Sequence, residues 1–233
     1  MNKLFVKICG ITRPQDAELA ADLGASALGF VFWPNSPRRI TVGTVRAMTA
    51  NIPAGVLRVG VFVDQPIADV ARTMDEAGLD VAQLHGHESP EYCRQLMIEL
   101  SGFPPSPRLR RVSPELVGVE RGTADSRTVF KAIGIADNGT TAIGDFDPDV
   151  VLLVDAHDPA RFGGTGKTVN WDSAREIAAT RYTILAGGLN AANINLAIRS
   201  VRPYGVDVSS GVESAPGVKD PDRLRTFFEA LHD

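Results

Sequence analysis

The sequence predicts an α/β protein built as a single (β/α)8 TIM barrel, and three observations support this fold class. The chain has 233 residues, which is about the length of one such barrel. Eight apolar stretches of strand length recur along it, and a helical pattern follows almost every one. No second periodicity and no linker divides the chain, so residues 1–233 are predicted to form one domain.

The apolar stretches are predicted to be strands because each is short and almost uninterrupted by polar residues. Strands that are apolar on both faces are typical of sheets covered on both sides, either an open doubly wound sheet or a closed barrel. Eight units in a chain of this length favour the barrel. The predicted strands are Leu4–Cys9, Ala27–Trp33, Val56–Asp64, Val81–Gly86, Thr128–Ile135, Val150–His157, Tyr182–Gly188 and Tyr204–Gly211.

The segments after the strands carry helical patterns, of which the first is the clearest. Ala17, Ala20 and Ala21 fall at helical spacing. Thr12, with Gln15 three residues later, predicts a capping box at the start of that helix. The predicted helices are Pro14–Ala25, Val42–Asn51, Ile67–Ala77, Pro90–Leu100, a short stretch near Thr140, Trp171–Ala179, Ala191–Ser200 and Pro221–His232.

The segment 101–127 interrupts this alternation with four prolines, several arginines and little apolar pattern. It follows the fourth helix and precedes the fifth strand, so in a barrel it would lie on the face opposite the active site. We expect an irregular surface insertion there, in preference to an arm that binds a partner.

The composition excludes several classes of function. A net charge of -4 leaves no basic field for nucleic acid, and no apolar run approaches the roughly 20 residues of a membrane span. Cys9 and Cys93 are too few for a disulfide framework or a metal site. Because the amino terminus also lacks the layout of a signal peptide, we expect a cytoplasmic protein without metal, membrane or nucleic-acid partners. Cys93, on the fourth helix, is expected to be a packing residue.

Reactive groups of such a barrel lie where its strands end, at the carboxyl face. In this chain the positions are Cys9, the loop after Trp33, Asp64, His85, Asp155, the pair Gly187 and Gly188, and the run Ser209, Ser210 and Gly211. The two glycine-containing loops follow the seventh and eighth strands. Their bare backbone N–H groups and the helix start behind Asn190 predict a phosphate site.

The stretch "GGTGKTVNW", which begins at Gly163, looks at first like the phosphate loop of a nucleoside triphosphatase. That motif needs a glycine, four residues, and then Gly-Lys-Thr. Arg161 occupies the position of the first glycine. We therefore interpret the stretch as a loop of the active site, with Gly164 in the pocket.

Seven motifs follow one another in a specific order. They are "KICGIT" (Lys7–Thr12), "GFVFWPNSPRRI" (Gly29–Ile40), "RVGVFVD" (Arg58–Asp64), "QLHG" (Gln83–Gly86), "GGTGKTVNW", "AGGLN" and "VDVSSGVE". Together they resemble the phosphoribosylanthranilate isomerases, a family of tryptophan biosynthesis. The resemblance runs from Lys3 to Lys219, with the segment 101–127 outside it.

The resemblance implies an isomerase without metal or organic cofactor. Its reaction would convert N-(5-phosphoribosyl)anthranilate to 1-(2-carboxyphenylamino)-1-deoxyribulose 5-phosphate by an acid/base Amadori rearrangement. Cys9 would be the general base, Asp155 the general acid, and Arg38 the partner of the substrate's anthranilate carboxylate. His85 and Asp207 are expected in the pocket wall, although a histidine satisfied by backbone and a structural aspartate stay open as alternatives. A phosphosugar is the expected partner, and a monomer and a homodimer are both compatible.

The residue types suit this chemistry independently. Breaking the C1–O4 bond of the ribose makes an alkoxide, so a protonated carboxyl such as that of Asp155 must lie beside it. The resulting Schiff base acidifies C2, so the Cys9 thiolate suffices as a base if a cation or helix end lowers its pKa. The Arg38 guanidinium can donate two parallel hydrogen bonds to a carboxylate.

Three alternatives belong to other classes or substrates. A phosphosugar isomerase of dual specificity on the same scaffold would use two aspartates, and Cys9 argues against it. A nucleoside triphosphatase is disfavoured because Arg161 stands where its phosphate loop needs a glycine. A non-catalytic phosphate-binding module would retain the glycines but would have no need of both an acid and a base.

Overall fold

A computed structural model of the chain describes residues 4–103, 106, 108, 127–135, 145–156 and 170–231. Eight parallel strands close into a barrel, in which each strand pairs with the next along the chain and the last pairs with the first. They are β1 (Phe5–Cys9), β2 (Ala27–Val31), β3 (Leu57–Phe62), β4 (Val81–Leu84), β5 (Thr128–Ile135), β6 (Val151–Ala156), β7 (Thr183–Leu185) and β8 (Gly205–Val208). The predicted barrel is therefore confirmed, and the open sheet is excluded.

Helices cover the outside of the barrel, where their buried residues share one apolar cluster with the outward-facing residues of the strands. Within the described ranges they are α1 (Pro14–Asp22), α2 (Val42–Thr49), α3 (Ile67–Glu76), α4 (Pro90–Ser101), α5 (Trp171–Ala178), α6 (Ile194–Val201) and α7 (Pro221–Ala230). The helix predicted near Thr140 lies outside the described residues. Cys93 of α4 is buried in the cluster, as expected of a packing residue. None of these helices is long and apolar enough to span a bilayer.

The interior of the barrel is filled in layers. Because side chains alternate along a strand, Phe5, Lys7 and Cys9 of β1 all point inward. Phe5 belongs to an apolar layer at the amino ends of the strands, together with Phe130 of β5 and residues of the other strands. Cys9 belongs to a small cluster at the opposite end. The apolar layer closes the bottom of the barrel, and the site lies at the top.

Most of the strands end a few residues earlier than predicted. Trp33, His85, Gly187 and Ser209 all follow a strand and belong to loops, whereas β5 has the predicted bounds. The difference arises because the chain leaves the sheet at the mouth of the barrel, where apolar residues still line its wall.

The capping box predicted from Thr12 and Gln15 is wrong. Helix α1 receives no side-chain cap, because the Thr12 hydroxyl donates instead to the carbonyl of Gly217. Gly217 lies in the turn between two short antiparallel strands that we did not predict, β9 (Glu213–Ala215) and β10 (Val218–Lys219). A contact between the two ends of the chain thus replaces the local cap.

Two described residues of the segment 101–127 contact Asp80, just before β4, and Asp75, near the end of α3. The Ser106 hydroxyl donates to Asp80 Oδ1 over 2.6 Å, just before β4. The Arg127 guanidinium pairs with Asp75 at 3.3 Å and lies over the ring of Phe103. These contacts are on the face opposite the site, as expected. The organisation of 1–233 as one domain with an irregular insertion stays a prediction.

Candidate active site

One cavity at the carboxyl ends of the strands collects the predicted site residues. Its wall includes Cys9, Arg38, His85, Asp155, Gly187, Gly188, Asp207, Ser209, Ser210 and Gly211. Gly164 and the rest of the Gly163–Thr168 loop lie outside the described residues. Asp64 does not line the cavity, because its carboxylate accepts hydrogen bonds from the backbone and ring nitrogens of His87.

Cys9 is the last residue of β1, and its thiol lies among charged groups. Burial raises the pKa of the Cys9 thiol above its ordinary value. Lys7 and Lys219 act in the opposite direction, and Asp207 adds to the increase. The cations that sequence reasoning required near this thiol are therefore two lysines rather than a helix end.

Asp155 lies on β6, across the barrel from Cys9, and is also buried. The Nε2 atom of His85 is 3.4 Å from its Oδ2. The Nδ1 atom of His85 lies 3.0 Å from Nε2 of Gln83. Since an amide nitrogen can only donate, the imidazole proton is assigned to Nε2, which faces Asp155. His85 is thus held by side chains, and the alternative of a histidine satisfied by backbone is not supported.

Arg38 lies in the loop after β2 and contacts the carboxylate of Glu213. Its Nε is 3.0 Å from Oε1, and its Nη2 is 2.6 Å from Oε2. Lys219 donates to the same carboxylate over 2.8 Å. Burial alone would raise the pKa of Glu213, but Arg38 and Lys219 outweigh it and hold that pKa below its ordinary value. Arg38 is therefore a fixed part of the cavity wall.

The loops after β7 and β8 offer free backbone donors. Gly187 and Gly188 have φ values of 85° and 63°, which a residue with a side chain rarely adopts. Within the described part of the chain, the N–H groups of Gly187, Gly188, Ser210 and Gly211 bond to no backbone carbonyl or side chain. All four residues line the cavity. The arrangement suits an anion with several oxygens, such as a phosphate.

Helix α6 begins later than predicted, at Ile194 instead of Ala191. The backbone N–H of Asn190 donates to Asn193 Oδ1, and that of Ala192 donates to Asn190 Oδ1, each over 2.9 Å. These side-chain bonds replace the first helical turn. The loop after β7 is longer as a result.

Sequence reasoning missed four polar residues around the site: Lys7, Gln83, Glu213 and Lys219. Lys7 pairs with Asp207 at 2.9 Å, and both are buried. Asp207 thereby combines the two roles that the sequence left open, since it is a structural ion-pair partner and also lines the cavity. A buried lysine in an apolar strand was the available signal. The described residues contain no group of three or more metal-ligating side chains.

Comparisons with known proteins agree with this geometry. The sequence model of the family described as N-(5'phosphoribosyl)anthranilate (PRA) isomerase matches residues 6–103 and 114–230. The N-(5'-phosphoribosyl)anthranilate isomerase of Pelobacter propionicus is 42% identical over 223 residues, which are 96% of this chain and 93% of that protein. The unmatched stretch between the two parts of the family match lies inside the segment 101–127.

Solved structures show the same similarity. The phosphoribosyl anthranilate isomerase of Thermus thermophilus superposes with a TM-score of 0.76 at 39% identity, over 98% of both chains. A second isomerase of this kind, in complex with reduced 1-(o-carboxyphenylamino)-1-deoxyribulose 5-phosphate, has a TM-score of 0.72 at 31% identity, over 99% of both chains. The chain belongs to the phosphoribosylanthranilate isomerase family.

Proposed function

We propose that this chain converts N-(5-phosphoribosyl)anthranilate to 1-(2-carboxyphenylamino)-1-deoxyribulose 5-phosphate, the Amadori rearrangement of tryptophan biosynthesis. Membership of the family supports the reaction. The observation that carries the proposal is that Cys9 and Asp155 line one cavity, together with Arg38 and the two glycine-containing loops. An acid, a base, a carboxylate partner and an anion site thus face the same space.

In the first step, Asp155 acts as the general acid. As the C1–O4 bond of the ribose breaks, its electron pair goes to O4, which takes the proton of Asp155. The lone pair of the anthranilate nitrogen forms the C1=N double bond, so the product of this step is an open-chain Schiff base. Once it has lost its proton, the Asp155 carboxylate can accept the Nε2 proton of His85, which lies 3.4 Å away.

In the second step, Cys9 acts as the general base. Its thiolate removes the proton on C2, the C–H electron pair forms C1=C2, and the electrons of C1=N return to nitrogen. The enolamine then gains a proton at C1 and loses one from the hydroxyl on C2, which gives the ketone. Neither step calls for a metal or an organic cofactor.

Arg38 is proposed to bind the anthranilate carboxylate, and its contact with Glu213 supports this role. Glu213 occupies the edge of the guanidinium formed by Nε and Nη2. On the other edge, Nη1 and the second N–H of Nη2 make no hydrogen bond to the described residues, and that edge suits a second carboxylate. The guanidinium would then lie between a fixed protein carboxylate and the substrate.

The phosphate is proposed to bind at Gly187, Gly188, Ser209, Ser210 and Gly211. The free N–H groups of Gly187, Gly188, Ser210 and Gly211 support the assignment, as does the position of the loops after the last two strands. Asp207 is proposed to contact the opened sugar from the cavity wall. We also propose a cytoplasmic location and a small-molecule partner only, with a monomer and a homodimer both still open.

The proposal is tested by the consumption of phosphoribosylanthranilate, followed as the loss of its anthranilate-type fluorescence without added metal. Cys9→Ser and Asp155→Asn should each lower kcat by about 10²–10⁴-fold, since each removes a proton-transfer group. Cys93→Ser, which changes the buried thiol of α4, is the matched control and should keep kcat. No turnover by the unchanged protein at micromolar concentration would refute the reaction. Full activity of Cys9→Ser or Asp155→Asn would refute that residue's role.

A further inference from the structure

Lys7 is fully buried in the middle of β1 and has no access to the cavity. Its ammonium pairs with Asp207 Oδ1 at 2.9 Å, and its positive charge acts on the thiol of Cys9, two residues along the same strand. Cys9 and Asp207 line the cavity, whereas Lys7 does not. Lys7 therefore lies one layer below the site and can affect a bound substrate only through these two neighbours.

The bare backbone of Gly29, on the adjacent strand β2, leaves room for the Lys7 ammonium and the Cys9 sulfur. A Cβ atom at Gly29 would lie 2.8 Å from Cys9 Sγ and 3.1 Å from Lys7 Nζ. Both atoms thus lie against the same glycine, which pairs with Cys9 in the sheet. Any side chain at this position would push the ammonium and the sulfur aside.

The charges around Cys9 do not balance while the thiol is neutral. Among the described residues, the groups concerned are the cations of Lys7, Lys219 and Arg38 and the carboxylates of Asp207 and Glu213. Three cations face two anions in a largely buried space. Because an uncompensated buried charge is costly, a thiolate at Cys9 would restore the balance.

Of the two buried lysines near Cys9, Lys7 and Lys219, only Lys7 has an N–H group left for the sulfur. The ammonium of Lys219 donates to the carbonyls of Cys9 and Ser209 and to Glu213, which uses all three of its N–H groups. The ammonium of Lys7 donates to Asp207 alone among the described residues, so it has N–H groups left for a negative sulfur. A direct hydrogen bond to the thiolate can therefore come from Lys7.

We propose that Lys7 is a positioning residue that holds Cys9 as a thiolate for the proton transfer at C2. The inference rests on the proposed role of Cys9 as the base. Asp207 has the opposite effect, because its carboxylate draws the ammonium toward itself and repels the negative sulfur. The two partners of one ion pair thus shift the ionisation of Cys9 in opposite directions.

The experiment measures the rate at which iodoacetamide alkylates Cys9 as a function of pH, by mass spectrometry and without substrate. Lys7→Met should move the midpoint to higher pH by about 1–3 units, the usual effect of losing an opposite charge about 4–6 Å away. Asp207→Asn should move it to lower pH. Lys131→Met removes an equally buried lysine, paired with Glu88 on the far side of the barrel, and should leave the midpoint unchanged.

A purely structural ion pair would not produce shifts of opposite sign. An unchanged midpoint in a folded Lys7→Met variant would overturn the proposal. If Lys7→Met fails to fold, the neutral pair Lys7→Met with Asp207→Asn takes its place. The midpoint of this double variant must then lie above that of Asp207→Asn alone, and equal midpoints would overturn the proposal.

Activity data separate this proposal from the proposed function. In Lys7→Met, the rising limb of kcat/KM against pH should move together with the alkylation midpoint. If the midpoint moves and the rising limb does not, Cys9 is not the base, while the effect of Lys7 on its thiol stands.

Discussion

The guanidinium of Arg38 and the carboxylate of Glu213 form a two-point contact, with 3.0 Å from Nε to Oε1 and 2.6 Å from Nη2 to Oε2. Glu213 begins the β9–β10 hairpin, so the end of the chain holds an arginine from the loop after β2. The contact fixes the plane of the guanidinium before any substrate arrives, which lowers the entropy lost on binding.

Replacing Arg38 with lysine should raise KM with little change in kcat, because the carboxylate stays bound throughout the reaction. A hydrogen bond to a charged group contributes about 1.5–3 kcal/mol, so we expect an increase in KM of about 10–150-fold. Steady-state kinetics measure it. Arg39→Lys, at the exposed neighbouring position, is the control. An unchanged KM in Arg38→Lys would contradict the assignment.

Glu213 should make stability depend on pH in the acidic range. Its pKa in the folded chain is below the ordinary value of 4.5, so its contribution is present above that value and is lost as the pH falls through the lower folded pKa. Removing one partner of a buried ion pair costs about 3–5 kcal/mol. Urea unfolding should therefore show Glu213→Gln less stable than the unchanged protein at pH 7, with the difference shrinking below pH 4.5.

Glu91→Gln is the control for that measurement, because Glu91 is exposed and its partners in the described part of the chain are side chains of its own helix. It should change stability little at any pH, because exposed ion pairs contribute little. If the difference in the free energy of unfolding between Glu213→Gln and the unchanged protein persists at low pH, the charge of the Glu213 carboxylate is not the cause of that difference.

Gly188→Ala should weaken phosphate binding. Its φ of 63° costs a residue with a Cβ about 1–2 kcal/mol, and the backbone would relax away from the conformation in which its N–H is free to bind an anion. We expect a higher KM and weaker competitive inhibition by inorganic phosphate. Gly55→Ala, where a Cβ meets nothing within 4 Å, should behave like the unchanged protein. Equal inhibition of both variants would argue against a phosphate at Gly188.

His85→Gln should lower kcat by about 10–150-fold, because it removes the imidazole nitrogen 3.4 Å from the Asp155 carboxyl, which is proposed to donate once the proton has left. A hydrogen bond to a charged group is worth about 1.5–3 kcal/mol. His87→Gln makes the same change at an exposed histidine outside the cavity and should keep kcat. An unchanged kcat in His85→Gln would show that His85 lines the cavity without helping the proton transfer.

Much of the fold and of the site was predictable because it depends on local patterns. Apolar runs predict strands, and alternation along β1 predicts that Cys9 faces the interior. The carboxyl ends of parallel strands meet at one face, so Cys9, Asp155 and the glycine-containing loops were expected to share a cavity. The local prediction failed at Thr12, because its hydroxyl donates to the carbonyl of Gly217 in the hairpin instead of accepting from an N–H group at the start of its own helix.

The sequence by itself therefore determined the barrel, the family and several of the side chains that face the cavity. Only the tertiary structure decided which partner each buried cation has: Lys7 pairs with Asp207, Arg38 pairs with Glu213, and Lys219 donates to the carbonyl of Cys9. Each pair joins residues far apart in the chain, and the first forms only where β8 closes on β1. The alternation of residues along a strand predicts which way a side chain points. The partner of a buried charge depends instead on the closure of the whole barrel.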